Sequence, residues 1–165
     1  MIALQIHDVK MFMASLLMNQ TFDRFLVNDV EITTFTTFKM QGILNKDWYS
    51  TDEMEAMNDK NYVKWELLRP IAYSIIKGSK TPDHFKIVLQ VNAHDNRQML
   101  AAIGKSPEDN DAATFFLNII FEENSLRVIS GTSIKMFTMD KSQEIQWDQA
   151  VKQFLTKQKI AFEEI

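Results

Sequence analysis

The sequence predicts an α+β fold made of duplicated βαβββ units with a mostly antiparallel sheet, and three observations carry that expectation. Two stretches, Ile2 to Ile6 and Phe85 to Val91, alternate apolar and polar residues as half-buried strands do, and each precedes a segment of helical spacing. Each helical segment then leads into residues rich in Val, Ile, Thr and Phe, the strand formers. Leu4-Gln5-Ile6 followed by Met13-Ala14-Ser15-Leu16 is echoed by Leu89-Gln90-Val91 followed by Leu100-Ala101-Ala102-Ile103. The expected layout is one domain over 1–165, with repeats at 2–44 and 87–139, a connector at 45–86, and a C-terminal helix and tail at 140–165.

After the first strand, Asp8 is placed to cap a helix to Asn19, with Phe12, Met13, Leu16 and Leu17 as its apolar stripe. From Phe22 to Leu44 two or three antiparallel strands are expected, closed by Gly42, with the turn either at Asn28-Asp29 or in the Thr-rich stretch. The acidic connector predicts a short helix around Asp52 to Met57. Trp65, Leu68, Ala72, Ile75 and Ile76 then predict a helix over Tyr62 to Lys77, with Gly78 as its C′ residue and a kink or restart at Pro70.

In the second unit, Asp95 is expected to cap a helix to Ile103 that Gly104 ends. Strands follow at Thr114 to Phe121, Leu126 to Ser130 and Ile134 to Met139, with a hairpin turn over Glu122 to Ser125. Trp147, Ala150, Val151, Phe154 and Leu155 predict a closing helix over Ser142 to Lys157. Ile160 and Phe162 alternate beyond it, the pattern of a short strand tethering the tail to the sheet.

Composition narrows the functions open to the chain. A formal charge of −4 supplies no net attraction for nucleic acid or anionic lipid. The absence of cysteine excludes disulfides, thiolate metal sites and thiol nucleophiles. Asp8 and Lys10 interrupt any apolar leader, and no apolar run approaches the ~20 residues that cross a bilayer, so a cytoplasmic protein without membrane contact is expected.

Two resemblances follow from these patterns. The paired βαβββ units are similar in fold to a DNA sliding-clamp domain, which implies helices on one surface and sheet on the other. A clamp also needs Lys and Arg along those helices to neutralise phosphates; the two segments offer Lys10 and Arg97, with Lys105 just beyond, so nucleic-acid binding ranks third among the functions. The chain as a whole resembles an uncharacterised bacterial family of similar length. That likeness rests on Thr33-Thr34-Phe35-Thr36-Thr37-Phe38, Arg69-Pro70-Ile71, Ile76-Lys77-Gly78-Ser79-Lys80-Thr81-Pro82, Gly131-Thr132-Ser133, and Phe137 to Ser142 with Trp147-Asp148. It implies no activity and transfers no catalytic residue.

No motif of a known chemistry is complete. Lys77-Gly78-Ser79-Lys80-Thr81 lacks the spacing of a phosphate loop and ends a helix, so a helix cap is expected there, with an anion contact as the alternative. His7, His84 and His94 are too far apart in sequence for a ligand motif, and Glu108, Asp109 and Asp111 lack the calcium-loop pattern; no metal or cofactor is expected. No Ser lies in a nucleophile elbow. Trp48 and Tyr49 are candidates for a protein-binding anchor, although burial against the sheet is the commoner fate of such a pair. Met11, Met13 and Met18 offer an adaptable face or core filler. The leading expectation is a non-enzymatic interaction module with a protein partner or self-association. The alternative is an enzyme whose site assembles only in three dimensions around Arg69, Lys77, Lys80 and His84.

Overall fold

Strict alternation in the strands decides the architecture, because it gives the sheet one apolar face and one mixed face. The computed structural model describes residues 1–165 and contains five α-helices and a seven-stranded sheet. In chain order these are β1 (Ala3–Ile6), α1 (Val9–Leu17), β2 (Leu26–Thr33), β3 (Thr37–Gln41), α2 (Thr51–Ala56), α3 (Trp65–Ile76), β4 (His84–Gln90), α4 (Ala93–Ala101), β5 (Ala113–Glu122), β6 (Ser125–Ile134), α5 (Ser142–Lys157) and β7 (Phe162–Glu164). The sheet order is β3-β2-β4-β5-β6-β1-β7, and every neighbouring pair is antiparallel. The α+β class therefore holds.

Registers place Ile32, Phe85, Phe121 and Leu126 in one row and Val30, Ile87, Ile119, Val128 and Leu4 in the next, all on the same face and all buried. Phe12 and Leu16 of α1, Trp65 and Ala72 of α3, Leu100 of α4, and Trp147, Val151 and Leu155 of α5 pack into the same core. At about 1.5–3 kcal/mol per fully buried large apolar side chain, this single layer of contacts is the main stabilising term. The indole of Trp65 is fully buried and donates Nε1–H to the Leu16 carbonyl at 2.9 Å, joining α3 to the end of α1.

The local signals are mostly where expected. Asp8 caps α1, accepting from Met11 N–H, and α2 starts in a Ser50–Glu53 capping box. Glu123 and Asn124, at φ 50° and 58°, form the two-residue hairpin turn between β5 and β6. Phe162 to Glu164 add to the sheet beside β1, as the tail pattern suggested.

Other features differ. The cap of α4 is Asn92, whose side chain accepts from Asp95 N–H, so the helix begins two residues before Asp95. Asn28-Asp29 is no turn: it lies inside β2 where the register shifts, and the chain reverses at Thr34 to Thr36, closed by Thr34 N–H to Thr36 O. Ile134 ends β6, and Lys135 to Lys141 is a connection that carries exposed Met136, Phe137 and Met139. Pro70 lies inside an unbroken α3. The order strand, helix, strand, strand occurs twice, with two strands after each helix where the expected βαβββ unit has three, and β4 pairs with β5 whereas β1 pairs with β6 and β7 and never with β2.

Gly42 is required by close approach. A Cβ there would sit 1.6 Å from the Val27 carbonyl oxygen. At the same place Val63 N–H donates to Gly42 O and Val27 N–H to Val63 O, both at 2.8 Å, and Ile43 bridges Tyr62. The connector is thus stitched back to its point of departure.

Candidate functional site: a lysine-rimmed cleft

Between α1 and the end of α3 a cleft of about 650 Å³ opens over one end of β4 and β5. Val9, Met13 and Leu17, spaced by four along α1, form one wall because such residues share a helix face. Tyr73 and Ile76 of α3 form the other. Phe85 and Phe121 make the floor, their rings stacked at 5.3 Å and 14°.

The rim is basic. Lys10 rises from α1, and Lys77 and Lys80 from the connection Lys77 to Pro82 that leaves α3. Gly78 has φ +147°, a conformation side chains disfavour, and this lets the chain turn sharply between the two lysines. Lys77 Nζ lies 5.9 Å from the centroid of the Tyr73 ring, a cation–π distance. Four lysines are paired, Lys39 with Glu31, Lys105 with Asp111, Lys141 with Glu144 and Lys152 with Glu164, whereas Lys10, Lys77 and Lys80 are among those with no carboxylate within 4.0 Å. The cleft lining includes no acidic residue and no histidine. Three like charges beside a low-dielectric apolar floor focus a positive potential outward. The arrangement can hold an apolar group and an anion together.

Of the residues expected from sequence, the fold brings Lys77 and Lys80 into this cleft and sends the others elsewhere. Arg69 faces Asp23 with Nε and Nη2 at 2.8 and 3.1 Å from the two carboxylate oxygens, a largely buried bidentate pair that ties α3 to the turn before β2. His84 sits past Pro82 in a polar recess with Asp83, Glu122 and Glu123. Its Nδ1 is 2.8 Å from Asp83 Oδ2 and its Nε2 3.2 Å from Thr33 Oγ1. An acid, an imidazole and a hydroxyl are in line, the outline of an acyl-transfer relay. Thr34 N–H is spent on Thr36 O and Asp83 N–H on Thr33 O, so neither of these amides is free to serve as an oxyanion donor.

Trp48 is 79% exposed, so it does not plug the sheet; it ends a single 3-10 turn that has no buried residue. Tyr49 is half-buried and lines a separate small groove with Leu44, Tyr62 and Leu67. The acidic loop after α4 spends its carboxylates internally. Asp111 holds Lys105 at 2.6 Å, a hydrogen bond that raises the lysine pKa, and Asp109 accepts Ser106 N–H at 2.8 Å. The Glu108 carboxylate accepts from Ser106 Oγ, which lowers its pKa. His7 approaches Glu163 and His94 approaches Gln98, far from each other in the fold.

From sequence, Lys10 stands only as a phosphate contact of a clamp-like helix and Met13 and Met18 as part of an adaptable methionine face or core filler, while Val9, Leu17 and the phenylalanine floor carry no site expectation. The available signal was the common face of Lys10, Met13 and Leu17 on one helix.

No helix is long and apolar enough to cross a membrane. No curated protein and no solved structure matches the chain. A family profile matches residues 15–163, which take in the whole cleft except the first turns of α1, and the chain thereby belongs to DUF5721, a family of unknown function.

Proposed function

We propose that the protein is a non-catalytic interaction module that captures an acidic, amphipathic segment of a partner protein in the α1–α3 cleft. The observation that carries this is the ring of unpaired Lys10, Lys77 and Lys80 around an apolar floor. Apolar anchors of a partner helix would enter over Phe85 and Phe121, and flanking Asp or Glu would meet the lysines, the helix-in-groove mode of recognition. Met13 and Met18 at the wall suit such a partner because methionine adapts its shape to what it contacts.

The duplicated, clamp-like architecture belongs to the same reading of the chain as a scaffold for contacts. It is supported by the strand-helix-strand-strand order that occurs at β1-α1-β2-β3 and again at β4-α4-β5-β6.

Fluorescence anisotropy with a labelled helical peptide bearing Leu at i and i+4 between Glu residues tests the cleft. Saturable binding that weakens with salt and falls about tenfold or more in Lys77→Glu/Lys80→Glu is expected, since oppositely charged rims become like-charged. Equal binding of a Lys-flanked control peptide, or no binding at low salt, overturns the proposal.

A further inference from the structure

The two edges of the sheet are exposed and different. At one edge, Gly42 N–H donates to Asn28 O and Thr34 N–H to Thr36 O, so the even-numbered residues of β3 face β2. The N–H and C=O groups of Thr37, Lys39 and Gln41 therefore point outward. At the other edge, His7 N–H donates to Ala161 O and Ile165 N–H to Ala3 O, so Phe162 and Glu164 of β7 point outward. Neither set has a strand to pair with.

Three geometric facts make these edges complementary to each other. First, seven strands that alternate in direction leave β3 and β7 running the same way. A second copy placed in the same orientation thus lays its β7 parallel to β3, with both helix layers on one side. Second, in a parallel pair the outward residue of one strand bonds to the two residues flanking its opposite number. Lys39 set opposite Glu163 would donate to Phe162 O and accept from Glu164 N–H, which are the groups left free. Third, the registers form one row across the open face, Lys39–Glu31–Lys86–Ile120–Arg127–Gln5–Glu163, ending in a cation at one edge and an anion at the other. On the helix side, half-buried Phe38 would lie beside half-buried Phe162.

Pairing of like edges is disfavoured by the same residues. A two-fold β3–β3 contact that uses Thr37, Lys39 and Gln41 sets Lys39 against Lys39, and a β7–β7 contact sets Glu163 against Glu163; like charges directly opposite are destabilising. Charged edge residues are a usual guard against sheet extension. Here the guards have opposite sign on the two edges, so they block like pairing and leave unlike pairing open.

We infer that copies of this chain associate head to tail, the β7 edge of one on the β3 edge of the next, extending one sheet through successive molecules. Such a heterologous contact grows as a series unless its rotation closes a ring.

Sedimentation velocity across a concentration series tests it. The wild-type protein is expected to pass from monomer through dimer to larger species, less so at high salt. Lys39→Glu and Glu163→Lys, both at exposed positions that leave the fold intact by circular dichroism, should each weaken association about five- to tenfold. The double variant Lys39→Glu/Glu163→Lys should regain it, because the charges are exchanged across every contact. An equimolar mixture of the two single variants should regain growth as an alternating series, because each contact between unlike variants sets opposite charges against each other while each contact between like variants does not. A wild-type protein that stays monomeric at millimolar concentration, a dimer of fixed size, or association unchanged by both reversals overturns the inference.

Discussion

Phe115 and Phe116 are neighbours on β5, yet they live on opposite sides of the sheet. Phe115 is fully buried beneath α5, its ring 5.6 Å from that of Trp147, whereas Phe116 is half-exposed opposite Gly131. The covered face is a continuous apolar layer. The open face alternates Lys39, Glu31 and Lys86 with islands such as Val88, Ile120 and Ile129, without a second layer over it. One strand pattern thus serves two tasks: odd-numbered positions of β5 hold the fold together, and even-numbered positions leave a surface that water tolerates.

The sharpest way to break that contrast is truncation on each side. Phe115→Ala should destabilise by about 3–5 kcal/mol, through lost burial and a cavity the helices cannot close. Phe116→Ala should cost under about 1.5 kcal/mol, because part of its surface already meets solvent. Urea denaturation reads both, and equal costs would mean that something covers the open face in solution.

A smaller effect is expected within the charged row. Glu31→Ala removes the cross-strand partner of both Lys39 and Lys86 and should cost no more than about 0.5–1 kcal/mol, the range of exposed pairs. The loss should shrink in 1 M salt, where screening is nearly complete. A salt-independent loss would assign the row to packing instead of charge.

The least effect lies at the start of α5, which roofs the covered face. Asp140 accepts the Ser142 N–H at 2.9 Å, and this hydrogen bond lowers its pKa below the ordinary aspartate value of about 3.9. A depressed folded-state pKa contributes stability that is fully present above that ordinary value and fades as the pH falls through the lowered one. Carboxyl-resolved NMR titration should find the Asp140 midpoint below that of a free aspartate, and a midpoint at or above it would remove the contact from the account of helix α5.

Local physics made much of this legible in advance. The strands β1, β4 and β7 follow from period-two alternation, α5 from its apolar stripe, and the β5–β6 turn from a polar run between two strand patterns. Each needs only neighbours in sequence. The sheet order does not, because β1 enters between β6 and β7, more than a hundred residues away, and nothing in Ala3 to Ile6 specifies that partner. Asn92 and Asp95 are both good cap residues, and what selects Asn92 is its side chain accepting from Asp95 N–H, which puts Asp95 inside the first turn of α4. The cleft was half legible: Lys77 and Lys80 stand out in a short polar segment, but their relation to Lys10 exists only once α1 packs on α3. Arg69 drew attention for the wrong reason, its charge being consumed by Asp23 in holding the fold.

The stitch at Gly42 separates what can vary in this chain from what cannot. Leu44 N–H meets Asn61 O at 2.9 Å and Ile43 bridges Tyr62, so the excursion that carries the 3-10 turn and α2 departs and rejoins at one place. Closing a flexible loop costs only about 0.6 kcal/mol more for each doubling of its length. Insertions or deletions near the exposed start of α2 should therefore leave the β2–β3–β4 register untouched, while at Gly42 itself even one added methyl group collides with the backbone of Val27. Length is free where the chain is knotted off, and composition is fixed at the knot.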